Sequence, residues 1–449
     1  MAPQPAMRPC RVIVVGGGVA GLALALMLEK NGVDYVLLEA YDEVVAQATA
    51  GICMVPNGLR ILDQLGCYED LMSHVQDAID TMDFRGPNGE LVASVKEMES
   101  ISINRYGYPV IWVERPALLQ AMYDQVSDKS KLLAKKRVSA VQHLVNAVQV
   151  ETEDGSTYHG DFVIGADGTH SRVRQEMVRH ATELGVGEDY DEDDKIPTTY
   201  ASMLGVSELV PGIPRGYMSF GFNKQHSYIV GTGTGDRTYW LLTKNLGKTL
   251  YGAEAGSVTG ADQERIAQEY GNELLTPEVR FSDLYQRRKR VIYTPVPEFV
   301  YQKWHLDRTI VLGEASYKMS PVLAQGANQA IESAAAMVNS LMAVLSHPIP
   351  GRISMDEIRT MFEEVQQVRQ PRVQQMVQAS HARQTADALE TPEIEHVMLN
   401  QFHKQVPEIV WERWNASYRP AVSLKMMEIP ARPRGVPYDD EAPHSTTGI

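Results

Sequence analysis

Three glycines and an acid carry the most legible chemistry in this chain. Residues 11–39 read RVIVVGGGVAGLALALMLEKNGVDYVLLE. Gly16, Gly18 and Gly21 stand between the β-branched run 12–15 and an Ala/Leu-rich segment with helical character. A second apolar run, 35–38, closes on Glu39. A strand, a Gly-rich turn, a helix, a second strand and then an acid about 20 residues on form the dinucleotide fingerprint. Gly16 permits the tight turn, and Gly18 lets a pyrophosphate approach backbone amides and the positive end of the helix. Gly21 lets the helix pack against the sheet. Glu39 accepts hydrogen bonds from ribose hydroxyls, and its charge disfavours a 2′-phosphate. A merely structural Gly-rich turn needs neither the acid nor both flanking strands, so the spacing predicts a bound dinucleotide.

Four further blocks follow in order. Residues 50–58 read AGICMVPNG, ahead of a helix through Leu59, Leu62 and Leu65, and residues 112–119 read WVERPALL, with Arg115 at a helix start. Residues 161–171, DFVIGADGTHS, set Asp167-Gly168 after an apolar strand. Residues 308–333, RTIVLGEASYKMSPVLAQGANQAIES, put Glu314 at a strand end and bare backbone before a helix of small residues. Taken together, the blocks resemble the single-component FAD-dependent monooxygenases, the flavoprotein aromatic hydroxylases. Within them they are most similar to the fungal, paxilline-type epoxidases that act on prenylated natural products. The resemblance spans roughly residues 8–345.

That resemblance implies non-covalent FAD, with NADPH as transient reductant and O2 as co-substrate. It implies epoxidation or hydroxylation of a small hydrophobic intermediate, prenylated or aromatic, of secondary metabolism. Gly16, Gly18 and Glu39 would hold the ADP half of FAD, with Gly51 and Arg115 along the cofactor. Asp167 would serve both FAD and the nicotinamide donor, and Glu314 the ribityl chain. The backbone at Gly326, Ala327 and Asn328 would face the flavin's pyrimidine edge. The small residues behind them let the helix N-terminus come close and favour negative charge on the reduced ring.

Several positions depart from the pattern. Glu314 stands where the family has Asp, Tyr317 where a His is common, and Ser333 where the family's helix has a second acid. Ala201 occupies a position where the fungal branch often carries an Arg. Phe220 or Phe222 replaces a Tyr of the sheet above the flavin, which leaves Tyr217 as the nearest phenol and the candidate catalytic residue. The losses favour an apolar, prenyl-like substrate. They also admit a redox-neutral cyclisation or isomerisation on the same fold, or a flavin-binding protein without catalysis.

The elements that must position these residues predict an α/β fold. A Rossmann-type FAD-binding domain is discontinuous, with a first part over 8–194 and a closing segment over 285–350. An antiparallel-sheet substrate domain, 195–284, is inserted between them. C-terminal helices cover 351–429, and a Pro-rich, polar tail over 430–449 is expected to be poorly ordered. A second Gly-rich stretch, 231–235, leads into a strand rather than a helix and so reads as a sheet turn. Residues 354–390 carry apolar side chains at helical spacing with a kink marked at Pro371, and a further helix runs through 393–412. His381 reads as a surface residue.

Composition sets outer bounds. With 449 residues, 44% of them apolar, the chain can build two domains or one large domain with an insertion. A net charge of −15 excludes nucleic acid as a general partner, and the basic cluster 287–290 reads as a solvated face. Three cysteines without CxxC spacing argue against a disulfide framework or a metal site and for a reducing, cytoplasmic compartment. There is no secretory signal, and no apolar run approaches the 18–20 residues or so of a membrane span. The sequon at Asn415 therefore reads as chance. Oligomeric state is not encoded in any motif.

Overall fold

The first apolar run forms strand Arg11–Val15, four of whose five residues are buried, as befits a strand covered on both faces. In the computed structural model, which describes residues 7–45, 51–256, 258–347 and 351–441, it is an inner strand of a six-stranded sheet. The order is His305–Leu306, Thr309–Val311, Phe162–Gly165, Arg11–Val15, Asp34–Leu38, Leu132–Leu133. Pairing is parallel except in the hairpin at the first edge. Helices Val19–Lys30 and Gly326–Leu345 pack on each other. Segments from both ends of the chain thus complete one domain. The parallel strands bring Val15, Leu38, Gly165 and Val311 to the same edge of the sheet, where α/β folds bind ligands.

The second sheet has seven strands, ordered Arg288–Val296, Pro197–Glu208, Arg237–Tyr251, His226–Gly233, Tyr217–Asn223, Thr81–Arg85, Leu91–Val95. It extends beyond the expected 195–284 segment. Thr81–Arg85 and Leu91–Val95 come from the first FAD-domain part, and Arg288–Val296 comes from the closing segment. Both edges of the inserted meander would otherwise present unpaired backbone. The sheet is antiparallel except where Tyr217–Asn223 meets Thr81–Arg85 in parallel. The Gly-rich stretch 231–235 is a sheet turn: Gly233 pairs with Arg237, and Gly235 and Asp236 take positive φ between them.

Helix Met355–Asp387 continues through Pro371 for 33 residues. It is fastened to helix Gly326–Leu345 by a buried cluster. The wholly buried Glu332 carboxylate accepts from Arg369 Nη1 and Arg372 Nε, both at 2.7 Å, and from Asn57 Nδ2 at 2.7 Å. The single helix expected over 393–412 is instead two helices, Pro392–Asn400 and Glu408–Tyr418, joined by a short 3-10 turn. Pro407, which has no N–H to donate, caps the second of them.

The expectation of a poorly ordered tail fails over 430–441, while 442–449 lie outside the described residues. Tyr438 is 1% exposed, with the Arg60 guanidinium 4.1 Å from its ring centroid. Arg432 pairs with Asp63 and Glu69, and Arg60 with Asp440 and Glu441. The segment is polar and Pro-rich, but one buried aromatic and matched charges anchor it.

Candidate active site

A cavity of about 1690 Å³ is lined by residues of both sheets and of the C-terminal helices. Gly16, Gly18, Glu39, Gly51 and Arg115 line it, as do Asp167, Glu314, Gly326 and Ala327. The structure therefore brings together nine expected site residues drawn from five separate stretches of sequence.

The lining at this end is mostly backbone, for steric reasons. Gly16 has φ +101°, and a Cβ there would lie 2.5 Å from the Ala166 carbonyl oxygen. A Cβ on Gly21 would fall 1.7 Å from the Gly16 oxygen. Gly21 is thus buried beneath the turn, outside the lining, as its packing role requires. Helices Val19–Lys30 and Gly326–Leu345 both begin here without a side-chain cap and without an acid in the first turn. Their first amides are available to an external acceptor.

The carboxylates differ in their engagement. Glu39 accepts from the amides of Gly17 at 2.5 Å and Tyr41 at 2.8 Å, which fixes it at the cavity edge. Asp167 spends its oxygens on the start of helix Arg172–Glu183, accepting from Ser171 Oγ at 2.6 Å and Arg172 N at 2.7 Å. Burial raises its pKa against these hydrogen bonds. Glu314 lies deep in the molecule, yet 47% of its side chain is open, toward the cavity. Burial alone would raise its pKa, but Lys318 at 2.7 Å and Thr169 at 3.1 Å outweigh it, so the group lies below the ordinary carboxylate range.

Two expectations are corrected. Asn328 does not line the cavity. Its amide donates to the Cys53 and Ala324 carbonyls and accepts from Val55 N, tying the helix start to strand Gly51–Met54. Tyr217 also lies outside the lining. Its hydroxyl donates to Asp83 at 3.0 Å and accepts from Arg85 Nε at 3.0 Å. Strand alternation instead turns Met218 and Phe220 into the cavity. Ala201 and Phe222 are likewise buried outside it, and His381 pairs with Glu298 at 2.7 Å.

The other end is built from side chains. Met82, Phe84, Phe220 and Leu241 line it from the second sheet, and Val410, Trp414 and Tyr418 from the C-terminal helices. Trp112 and Tyr239 stack with centroids 5.5 Å apart and an interplanar angle of 9°. The Trp112 indole N–H is buried without a partner among the described residues. A Cβ on Gly231 would come within 2.4 Å of that ring, so glycine there makes room for it. Arg383 and Arg413 also reach this end. Sequence reasoning passed over both, although an Arg383–Asp387 pair at (i, i+4) on a buried helix face was a readable signal. Away from the cavity, His143, His180 and Asp307 bring ligand-type atoms within 4.8 Å of one another. Their spacing in the sequence does not announce this.

A family profile described as FAD binding domain matches residues 9–380. The chain belongs to this family. The FAD-dependent monooxygenase olcE of Penicillium canescens is 33% identical over 428 residues, spanning 94% of this chain and 90% of that protein. The FAD-dependent monooxygenase spyC of Aspergillus fumigatus is 34% identical over 375 residues, 83% and 78% respectively. Of solved structures, Klebsiella pneumoniae HpxO complexed with FAD and uric acid shares the fold at TM-score 0.74 and 20% identity, covering 91% of this chain and 96% of that one. This member of the FAD-binding-domain family is an FAD-dependent monooxygenase, an oxidoreductase with FAD as cofactor. The residues present fit the cofactor: two uncapped helix starts, bare backbone and an edge acid surround one end of the cavity. Among the described residues, no helix is long and apolar enough to cross a membrane.

Proposed function

We propose that this monooxygenase epoxidises or hydroxylates a hydrophobic intermediate of fungal secondary metabolism, a prenylated or aromatic molecule of meroterpenoid type, using NADPH and O2. The observation that carries this reading is one cavity with two kinds of lining, backbone and acids at one end and large apolar side chains at the other. The relatives' names support it.

FAD would lie along the first lining. Amides at Gly16 and Gly18 would take its pyrophosphate, and Glu39 the adenosine ribose. Arg115 and Glu314 would flank the stretch toward the flavin, and the backbone at Gly326 and Ala327 would meet the ring edge. Bound FAD, reduced by a nicotinamide, supplies the oxygen-activating chemistry. The chain's own task is to position and to exclude. Met82, Phe84, Phe220 and Leu241 bind hydrocarbon, each Å² buried contributing about 25 cal/mol. The same side chains keep water from the reacting carbon, and the Trp112–Tyr239 stack offers a flat wall against which an alkene or arene is held. No protein nucleophile is required. Cys10, Cys53 and Cys67 are free and buried, which supports a reducing, cytoplasmic setting.

The test is turnover of a farnesylated arene by purified holoenzyme. The expected outcome is bleaching of the flavin by NADPH, oxygen uptake on adding substrate, and a product heavier by one oxygen. Conversion at unchanged mass in anaerobic buffer without NADPH would replace this reading with a redox-neutral cyclisation or isomerisation.

A further inference from the structure

The apolar end of the cavity holds more positive charge than it neutralises. Arg383 donates through Nε to the buried Asp387 at 2.7 Å, and only 9% of its side chain is exposed. Its guanidinium lies 4.8 Å from the Phe220 ring centroid, and its Nη2 is buried without a hydrogen-bond partner among the described residues. Arg413, on helix Glu408–Tyr418, lines the same region and makes no hydrogen bond or ion pair among the described residues. Burial, and then the nearby Arg383, push its pKa down to about 10, so it remains a cation at neutral pH. Two guanidiniums therefore face one carboxylate. The acids of the lining, Glu39, Asp167, Asp193, Asp194 and Glu314, belong to other elements and none pairs with either arginine.

An uncompensated cation among apolar side chains is costly, and Arg383 also leaves a donor unused. A ligand that brings an anion cancels both costs. A guanidinium's planar fork suits two oxygens sharing one negative charge. Phe84, Phe220, Val410 and Trp414 around the pair suit a hydrocarbon body. We propose that Arg383 and Arg413 form an anion-recognition subsite, and that the substrate joins its apolar body to an ionised oxygen acid, either a carboxylate or the enolate of a 1,3-diketone. This deepens the proposed function and rests on it for the identity of the cavity as the substrate site. It also refines the expectation of an apolar, prenyl-like substrate: the polar groups of the site lie on the C-terminal helices, not on the sheet.

Calorimetric titration of oxidised holoenzyme tests it, with a farnesylated benzoic acid, its methyl ester and a farnesylated cyclic 1,3-diketone as probes. At least one acid should bind about tenfold tighter than the ester, the scale of a hydrogen bond to a charged group. Whichever acid is preferred separates carboxylate from enolate. In Arg413→Met the preference should fall to within about twofold, with partial recovery in Arg413→Lys and unchanged flavin content. Should Arg413→Met fail to fold, Arg383→Met combined with Asp387→Asn removes the other guanidinium without stranding a buried carboxylate, and should lower the preference likewise. Equal affinity for acids and ester, no binding of either acid, or a preference that survives these substitutions overturns the proposal. The titration involves neither NADPH nor oxygen. A failure of the oxygenase reading would show separately, as absent oxygen uptake with the selectivity intact.

Discussion

The two ends of the cavity are made in different ways. At the glycine-lined end the protein offers amides, a turn and two helix starts, and the side chains that matter most are absent ones: Gly16, Gly18 and Gly326. At the other end it offers rings, methyl groups and two guanidiniums carried by the second sheet and the C-terminal helices. A backbone-built site tolerates little change, because its geometry is that of the fold itself. A side-chain-built site can be altered residue by residue without disturbing the fold. The contrast teaches that the two ends can be altered separately, except where the two regions are fastened together.

That fastening is Glu332, and breaking it should produce the largest effect. Glu332→Gln leaves Arg369 and Arg372 without their buried carboxylate, so denaturant unfolding should show a loss of about 3–5 kcal/mol. Burial raises the Glu332 pKa, but Arg372 and Arg369 outweigh it and the net direction is downward. A carboxylate depressed in the folded state stabilises above its ordinary pKa and loses that contribution as pH falls through the folded value. Wild-type stability should therefore fall on acidification below the ordinary glutamate range, and the Gln variant should lose less over that window.

The next test separates folding from cofactor binding. A Cβ on Gly18 meets only Arg115 Nη2 at 3.5 Å, an ordinary contact. Gly18→Val should therefore fold yet lose FAD about a hundredfold or more in affinity, by filling the space a pyrophosphate needs. Retention of the flavin's visible absorbance would remove the backbone-built description of this end. Smaller again is Glu314→Ala. Its carboxylate is already shared with Lys318 and Thr169, so FAD affinity should fall only about tenfold, and Glu314→Asp should fall less. Flavin titration of the apoprotein measures both. Smallest is Tyr217→Phe, which removes one buried hydroxyl held by Asp83 and Arg85. Stability should drop by about 1 kcal/mol with turnover unchanged, and a collapse of turnover would return Tyr217 to the chemistry.

Tyr217 also shows where sequence reading stopped. The glycine-lined end was legible because glycines at fixed spacing after a strand have few alternatives, and nine of the expected residues line the cavity together. Strand Tyr217–Asn223 offered no such constraint. It is buried along nearly its whole length, with Met218 and Phe220 packing in one apolar cluster and Tyr217 in another. Without polar alternation, the sequence gives no sign of which face meets the cavity, and a shift of one residue reverses the answer. Asn328 misled for a related reason, since its motif marks the right helix start while its amide serves the strand behind. Arg413 was beyond reach, because its significance depends on Arg383, Asp387 and Phe220, which only the fold brings near it. The tail misled through composition, since Pro and polar residues outweighed the single Tyr438 that anchors it.

The stacked Trp112 has a last consequence, an optical one. Trp112, Trp240 and Trp414 all line the cavity, three of the chain's five tryptophans. Much of the intrinsic emission should therefore come from the walls of the cavity, which steady-state fluorescence of tryptophan variants checks. Flavins absorb where indoles emit, so loading FAD should darken these fluorophores by energy transfer. Trp414, next in sequence to Arg413, should register a ligand at the far end. The protein thus carries a built-in gauge of how full each end of its cavity is, readable without a label.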